Sequence, residues 1–174
     1  MVRFAYGLLV VLMLLISASC ADSLPHEPPQ TLGNQAIGYI TFNATDTNRS
    51  DRTLVVDVWY PADSTGAEEA GLATYPLSPI FGMESTVALE SIAVSPGNPL
   101  PLLIFSHGYG GINRQSIALM EALASHGFIV AAPEHTGNAQ NSLTDSFDVA
   151  AANRVPDLSF VIDTMLARNQ DPED

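Results

Sequence analysis

The stretch LPLLIFSHGYGG at residues 100–111 decides the fold, because its pattern changes halfway along its length. Residues 100–105 form a continuous apolar run, which is typical of a strand buried on both faces. Past the glycines, apolar side chains recur at helical spacing over residues 117–124, and Gly127 ends that helix. Residues 128–132 are a second short apolar run. Strand, glycine loop, helix and strand together predict one parallel βαβ unit of about thirty residues.

The segments upstream of this unit predict an antiparallel hairpin. Residues 37–42 and 53–60 are rich in β-branched and aromatic side chains, and a turn-forming segment separates them. Pro61 follows directly. Because proline lacks the N–H that a ladder needs, we expect the second strand to end there.

Two further segments complete the predicted fold. Residues 62–99 are small, polar and punctuated by prolines, which indicates an irregular excursion with one short helix possible between Met83 and Ile92. Apolar residues at helical spacing over residues 155–166 predict a second amphipathic helix, with Pro156 in its first turn. The expected fold class is α/β: an antiparallel hairpin, then a parallel βαβ unit and one further helix, in three α/β/α layers.

The N-terminal segment has the features of an export signal. Residues 1–21 carry Arg3, then an apolar run shorter than the roughly 20 residues of a bilayer span, and end on small residues. Two outcomes stay open: plain cleavage near the end of this segment, or lipidation of Cys20 as in bacterial lipoproteins. We expect a proline-containing linker at residues 22–34, the folded domain at residues 35–174, and a secreted or periplasmic protein without a transmembrane domain.

Composition excludes some partners. The 174 residues carry six Lys+Arg against 19 Asp+Glu, a formal charge of −13. No basic surface is available to neutralise phosphates, so nucleic acid is excluded as an expected partner. The single cysteine lies in the signal segment, so the mature domain is expected to have no disulfide.

The glycine loop, which we define as Ser106–Gly111, is the segment whose pattern suggests chemistry. It follows the carboxyl end of a predicted buried strand, where open α/β sheets place their ligands. Gly108, Gly110 and Gly111 allow the backbone to present N–H groups to a cleft, and Tyr109 would present one of them. Such amides stabilise the oxyanion of acyl transfer. A turn that only solves a packing problem is the alternative, and phosphate binding is disfavoured because neither dinucleotide nor P-loop spacing is present.

Ser106 is a poor candidate for the nucleophile of such a reaction. A strained nucleophile elbow requires a small residue two positions before the serine, and Ile104 stands there. The G-x-S-x-G pattern occurs nowhere in the 174 residues.

The histidines are expected to be structural. His107 is interpreted as a hydrogen-bond partner that stabilises the loop, and His126 as a helix-end residue that interacts with the last carbonyls. Glu134 and His135 are interpreted as solvated loop residues at the end of the second parallel strand. Because their spacing matches no metal motif, we expect neither a metal nor a cofactor.

Arg154 and Asp157 form a pair on the second predicted helix. They are three residues apart, so they lie on one helix face. They are expected either to pair with each other or to anchor neighbouring loops. Neither is assigned to chemistry.

Several segments together resemble the family of plasma-type platelet-activating factor acetylhydrolases, cutinase-like polyester hydrolases and dienelactone-hydrolase-like enzymes, all of the α/β-hydrolase superfamily. The matching segments are VDVWYP at 56–61, FSHGYGG at 105–111, LASHGFIVAAP at 123–133 and RVPDL at 154–158. The resemblance implies a partial α/β-hydrolase domain at residues 35–174. It implies that the backbone N–H of Tyr109 is the first oxyanion-hole donor, and that the substrates are short-acyl, lipid-like or polyester esters.

Enzymes of this family continue into a further strand, a G-x-S-x-G elbow, and the triad acid and histidine. The resemblance therefore implies an N-terminal fragment of a secreted serine ester hydrolase, inactive alone and with an unpaired, aggregation-prone edge on the strand before the loop. A non-catalytic extracytoplasmic binding module or lipoprotein, and one half of a split hydrolase, are the alternatives.

Overall fold

The computed structural model describes residues 31–65, 67–78 and 80–170. The predicted signal at residues 1–21, Cys20 and most of the predicted linker lie outside this part of the chain.

Six strands and two helices build the described domain. In chain order they are β1 (Ala36–Asp46), β2 (Arg52–Ala62), β3 (Leu72–Ser78), β4 (Phe81–Glu90), β5 (Leu102–Ile104), α1 (Ile117–Ser125), β6 (Ile129–Glu134) and α2 (Phe147–Arg168). The strands form a single mixed sheet in the order β3-β4-β1-β2-β6-β5. The β5–β6 and β1–β4 pairs are parallel, and the other three pairs are antiparallel.

The predicted hairpin is present, but its second strand does not end at Pro61. β1 and β2 pair from Ala36 opposite Ala62 to Asp46 opposite Arg52. The carbonyl of Pro61 accepts from Ser95 N at 2.8 Å, on the side of β2 away from β1. In an antiparallel strand the N and O of one residue point to the same side, so the donor that Pro61 lacks is not one that the β1 ladder uses.

Residues 62–99 are more regular than the sequence suggests. The short helix considered between Met83 and Ile92 is wrong, because β4 covers most of this range and pairs with β3 on one side and β1 on the other. The sequence signal for β3 was the alternation of its side chains, since Ala73 and Tyr75 are fully buried between exposed neighbours. Pairing between distant segments here overrides local helical spacing.

The second helix begins eight residues earlier than expected. α2 starts at Phe147, with Ser146 as its N-cap, so Pro156 lies inside the helix rather than in its first turn. The early turns bury little apolar surface, since Phe147 is 66% exposed. Apolar periodicity therefore could not reveal them. Within the described ranges, neither helix is long and apolar enough to be a candidate membrane span.

The helices cover opposite faces of the sheet. Met120 and Ala124 of α1 pack in one cluster with Tyr39, Trp59 and Val130. Val161 of α2 packs in a second cluster whose strand residues alternate with the first, and these residues are Val56, Val58, Tyr60 and Ala131. Because neighbouring strand residues point to opposite faces, the two clusters lie on the two sides of the sheet. The α/β fold with three layers is confirmed.

β5 occupies an edge of the described sheet and pairs with β6 alone among its strands. The expectation that this strand is buried on both faces is wrong for this structure, because Leu103 is 37% exposed. Backbone bonds flank the strand on its paired side, with Phe105 N donating to Ala131 O at 2.9 Å. Among the described residues, no strand pairs with the other side of β5, which directly precedes the glycine loop.

Candidate active site

The glycine loop leaves the carboxyl end of β5 and lies beside the loop that leaves β6. A single parallel bridge joins Gly111 to Ala139, and Gln140 N donates to Gly111 O at 2.9 Å. Two parallel strands thus deliver their loops to the same edge of the sheet, which is where α/β folds place their ligands.

Three of the four amides of residues 108–111 are engaged within the protein. The bonds run from Gly108 N to Gln115 Oε1 at 3.4 Å, from Gly110 N to Asn138 Oδ1 at 3.0 Å, and from Gly111 N to Gly108 O at 3.0 Å. Among the described residues, the Tyr109 N–H has no acceptor. The Tyr109 N–H is therefore available to a ligand, whereas the amides of Gly108 and Gly110 on either side of it are already bonded.

Two glycines of the loop are required for different structural reasons. Gly110 has φ +66°, a left-handed conformation that side chains disfavour. A Cβ on Gly111 would lie 2.6 Å from Gln115 Oε1, whereas a Cβ on Gly108 would meet no heavy atom within 4 Å. Backbone conformation therefore requires Gly110, and close packing against Gln115 requires Gly111.

The side chain of Tyr109 lies on the surface and is 45% exposed. Its hydroxyl donates to Asp145 O at 2.8 Å, and its ring lies 5.6 Å from the Phe147 ring, centroid to centroid. An open pocket of about 310 Å³ lies here, lined by these two rings, Gly108 and residues of α2 such as Arg154. The free amide and an aromatic pocket thus share one residue.

His107 is buried and fixed by two hydrogen bonds. Its Nδ1 donates to Gly108 O at 2.7 Å, and its Nε2 accepts from His135 N at 3.1 Å. Burial lowers the pKa of His107 to about 4, so the ring is neutral at pH 7. A neutral ring can donate at Nδ1 and accept at Nε2, as both bonds require.

His135 is not a solvated loop residue as the sequence suggested, because it is 2% exposed. Its Nε2 lies 3.0 Å from Ser106 Oγ, and its Nδ1 lies 2.8 Å from Asp157 Oδ2. The interpretation failed because the sequence gives no sign that α2 packs over the end of β6. Glu134 is half-buried, and burial raises the pKa of its carboxyl group.

Arg154 and Asp157 anchor different loops and do not pair with each other. Arg154 Nη1 donates to Ser106 Oγ at 2.5 Å and also to the His107 carbonyl. Asp157 accepts from Arg52 Nε at 2.8 Å and Arg52 Nη2 at 2.9 Å, and Arg49 Nη1 lies 2.8 Å from Oδ1. Although burial raises the pKa of Asp157, hydrogen bonds from His135 and Arg52 hold it well below its usual range.

A second buried ion pair fixes the segment after the glycine loop. Arg114 lies with Nη2 at 2.7 Å from Asp57 Oδ1 and Nε at 2.7 Å from Oδ2, and its Nη1 donates to Pro76 O at 3.0 Å. Asp57 also accepts from the Tyr39 hydroxyl at 2.9 Å. This pair could not be predicted from local sequence patterns, since 57 positions separate its members.

The expectation for His126 holds only in part. Its backbone N–H donates to the carbonyls of Ala122 and Leu123 at the end of α1, but its ring Nε2 donates to Thr31 O at 3.0 Å. Across the described ranges, no three His, Cys, Asp or Glu side chains are grouped as metal ligands would be.

Comparison with known proteins places this arrangement in a family. The model of the family described as platelet-activating factor acetylhydrolase, isoform II, matches residues 77–170, which is more than half of the chain. The chain belongs to this family. The matched residues include β4, β5, the glycine loop, α1, β6 and α2.

Individual relatives agree with this platelet-activating factor acetylhydrolase match. The platelet-activating factor acetylhydrolase of Bos taurus is 44% identical over 62 residues, 36% of this chain and 14% of that protein. That of Canis lupus familiaris is 40% identical over 76 residues, 44% of this chain and 17% of that protein. A solved ferulic acid esterase from Streptomyces cinnamoneus is similar with a TM-score of 0.55 at 28% identity, over 74% of this chain and 46% of that chain.

These matches confirm the expected relationship to platelet-activating factor acetylhydrolases and an esterase-type α/β fold. The chain spans less than a fifth of the two acetylhydrolases and about half of the esterase. The narrower likeness to cutinases stays a prediction, as does the role of each residue of the glycine loop.

Proposed function

We propose that these residues form the oxyanion-hole side of a serine carboxylic-ester hydrolase, with the Tyr109 backbone N–H as one donor of the hole. The observation that carries the proposal is the unengaged Tyr109 amide in a loop whose other three amides are bonded. A tetrahedral intermediate of acyl transfer requires donors that are already in place when negative charge develops.

The surroundings of Tyr109 suit this role. Gly110 and Gly111, which follow it, are held by Asn138 and by the Gly108 carbonyl, and His107, which precedes it by two residues, is buried. Fixed neighbours limit reorganisation of the donor during reaction. In this role His107 supports the loop through its bond to Gly108 O and is not a base, because its pKa of about 4 leaves it a poor proton acceptor at pH 7.

We place the nucleophile outside the 174 residues. They contain no G-x-S-x-G pattern, and β5, directly before the glycine loop, is an edge strand of the described sheet. A parallel strand added at this edge would end beside the loop, where its following turn could present a serine to the Tyr109 amide. The second oxyanion donor, the triad acid and the triad histidine would come from the same additional segment. The 174 residues alone are then expected to be inactive.

The proposed substrate is a neutral ester with a short acyl group, including lipid-like esters. The relatives are named as a platelet-activating factor acetylhydrolase and a ferulic acid esterase. The pocket beside Tyr109 is lined by Tyr109, Phe147, Ala150 and Val155, which suits an apolar ester group. Polyesters are a second proposed substrate class, because their hydrolysis is also an acyl transfer from an ester. We further propose that residues 1–21 direct export of the protein, with either cleavage of this segment or lipidation of Cys20.

Hydrolysis of 4-nitrophenyl acetate and butyrate tests the proposal. Two polypeptides are compared: the 174 residues alone, and the product read from the same gene with the codons that follow residue 174. We expect turnover only where the additional segment supplies a G-x-S-x-G serine, and loss of that turnover when this serine is changed to alanine. Serine-independent turnover by the 174 residues would contradict the proposal, and a folded, inactive product of the whole gene would favour a binding module.

A further inference from the structure

A continuous hydrogen-bond chain, buried at Asp157 and His135 and partly buried at the loop, runs from α2 to the glycine loop. It passes from Asp157 to His135 at 2.8 Å and from His135 to Ser106 at 3.0 Å. A branch passes from the His135 backbone N–H to His107 at 3.1 Å, and from His107 to the Gly108 carbonyl at 2.7 Å. Both branches meet at His135, which therefore contacts the loop at Ser106 through its ring and at His107 through its backbone N–H.

We propose that Asp157, His135 and Ser106 form a positioning relay that keeps the glycine loop in the conformation in which Tyr109 presents its amide. The inference rests on the proposed function for what that conformation serves. Asp157 and His135 are positioning residues in this account, since neither is placed to touch an ester.

With a neutral His135 ring, the order of donors in the relay has one consistent form. The Asp157 carboxylate accepts a hydrogen bond from Arg52 and is paired with Arg49, so it is ionised and can only accept. His135 must therefore donate to it from Nδ1. In a neutral imidazole Nε2 is then an acceptor, and the Ser106 hydroxyl donates to it. Arg154 in turn donates to Ser106 Oγ at 2.5 Å. The Asp157 carboxylate thus sets the tautomer of His135 and, through it, the orientation of the Ser106 hydroxyl.

The same three residue types in the same order form the catalytic triad of serine hydrolases. Here the observations favour positioning over nucleophilic attack. The His135 ring is 2% exposed and Asp157 is fully buried, so the base is enclosed by protein. The Arg154 guanidinium donates to the Ser106 hydroxyl oxygen, and the second branch ends on the backbone carbonyl of Gly108. These contacts hold the loop and give an ester no approach to the His135 base.

Removing the negative charge of Asp157 is therefore expected to act at a distance. In Asp157→Asn the amide can donate to His135 Nδ1, which moves the ring proton to Nε2, as the equivalent change does in the triad of trypsin-type proteases. The hydrogen bond between His135 and Ser106 then reverses, so that His135 Nε2–H donates to a Ser106 oxygen that already accepts from Arg154. The Ser106 hydroxyl must turn away from His135, and the contact that fixes this point of the loop is reoriented. A small displacement of a catalytic donor is enough to lower a rate by about a hundredfold.

The test is NMR of the 174-residue chain with ¹⁵N-labelled histidine and backbone at pH 7. Ring ¹⁵N shifts report each histidine tautomer, and hydrogen exchange reports the bonded amides of Gly110 and Gly111. We expect the Nδ1–H tautomer for His135 in the unchanged chain, a shift to Nε2–H in Asp157→Asn, and exchange at both glycines faster by about tenfold. The matched control is Asp163→Asn, an exposed aspartate of the same helix, which is expected to change neither signal.

Ser106→Ala keeps the inference testable if Asp157→Asn does not fold. It removes only the last hydroxyl, so the His135 tautomer is expected to stay while exchange at Gly110 and Gly111 rises. Unchanged exchange in either folded variant would overturn the relay. Covalent labelling of Ser106 by a fluorophosphonate would also overturn it, in favour of a nucleophile. Because none of these signals requires ester hydrolysis, failure of the relay is distinguishable from failure of the proposed function.

Discussion

His135 Nδ1 lies 2.8 Å from Asp157 Oδ2, so the end of β6 is joined directly to the third turn of α2. The contact is fully buried on the Asp157 side, where two arginines neutralise the carboxylate. An ion network of this kind is not by itself a source of stability, because desolvation offsets much of the attraction. Its consequence is geometric, since it connects the layer of α2 to the loop that carries Tyr109.

The glycine loop is expected to tolerate a side chain at one glycine and not at another. Gly110→Ala places a Cβ on a residue with φ +66°, at a cost of about 1–2 kcal/mol in the free energy of unfolding. Gly108→Ala is the matched control, because its added Cβ meets no heavy atom within 4 Å. Urea unfolding followed by fluorescence of Trp59, the single tryptophan, measures both. Equal losses in the two variants would contradict the assigned conformation.

Removing one member of the Asp57–Arg114 pair is expected to lower the free energy of unfolding more than replacing both members by apolar residues. Asp57→Asn leaves the Arg114 guanidinium buried without its counter-ion, which costs about 3–5 kcal/mol in such pairs. Combining Asp57→Leu with Arg114→Met removes both charges, so we expect this double variant to be more stable than Asp57→Leu alone or Arg114→Met alone. The same urea titration decides it. Additive losses would show that the pair is not coupled as its geometry indicates.

Acid is expected to destabilise the fold through His107. Its folded pKa of about 4 lies below the ordinary value of 6.5, so the unfolded chain binds more protons between these values. The contribution of His107 is complete above pH 6.5 and is lost as the pH falls toward 4, by about 3 kcal/mol in total. Unfolding free energies of the unchanged chain and of His107→Gln, measured from pH 7 to 4.5, should therefore converge. The control is His126→Gln at an exposed histidine, which keeps His107 and should keep the pH slope.

The unpaired edge of β5 is expected to make the 174-residue chain self-associate. Leu103 is 37% exposed on this edge strand, and a lysine there opposes strand pairing between copies. We expect Leu103→Lys to raise the monomer fraction in size-exclusion chromatography with light scattering. Leu119→Lys on α1 replaces a leucine of similar exposure, 42%, and should leave association unchanged. A monomeric unchanged chain would contradict the expectation.

The elements that could be predicted from the sequence are those whose apolar period and turn signals lie within the element itself. The β1–β2 hairpin, the βαβ unit and α1 each have their own apolar period and their own glycine or turn signals, and they were predicted close to their observed bounds. β3 and β4 were not, because their strand character comes from pairing with each other and with β1. The first turns of α2 were missed because their side chains are small or exposed.

The candidate site divides in the same way. The glycines and Tyr109 could be found from the sequence, since a glycine loop between a strand and a helix is a local pattern. What fixes the loop could not, because Asn138, His135 and Arg154 contact it from 28 to 48 positions away along the chain. Contacts of that kind depend on how the helices pack on the sheet.

The most direct test of the account removes the Tyr109 N–H and keeps the tyrosine side chain. The whole-gene product is made with the α-hydroxy analogue of tyrosine at position 109, which replaces the amide N–H by an ester oxygen, and with Tyr109→Phe as the control that keeps the amide. We expect kcat for 4-nitrophenyl acetate to fall by about a hundredfold to a thousandfold with KM little changed, and the control to stay within a few-fold. An unchanged kcat in the ester-backbone variant would contradict the assignment of Tyr109 to the oxyanion hole.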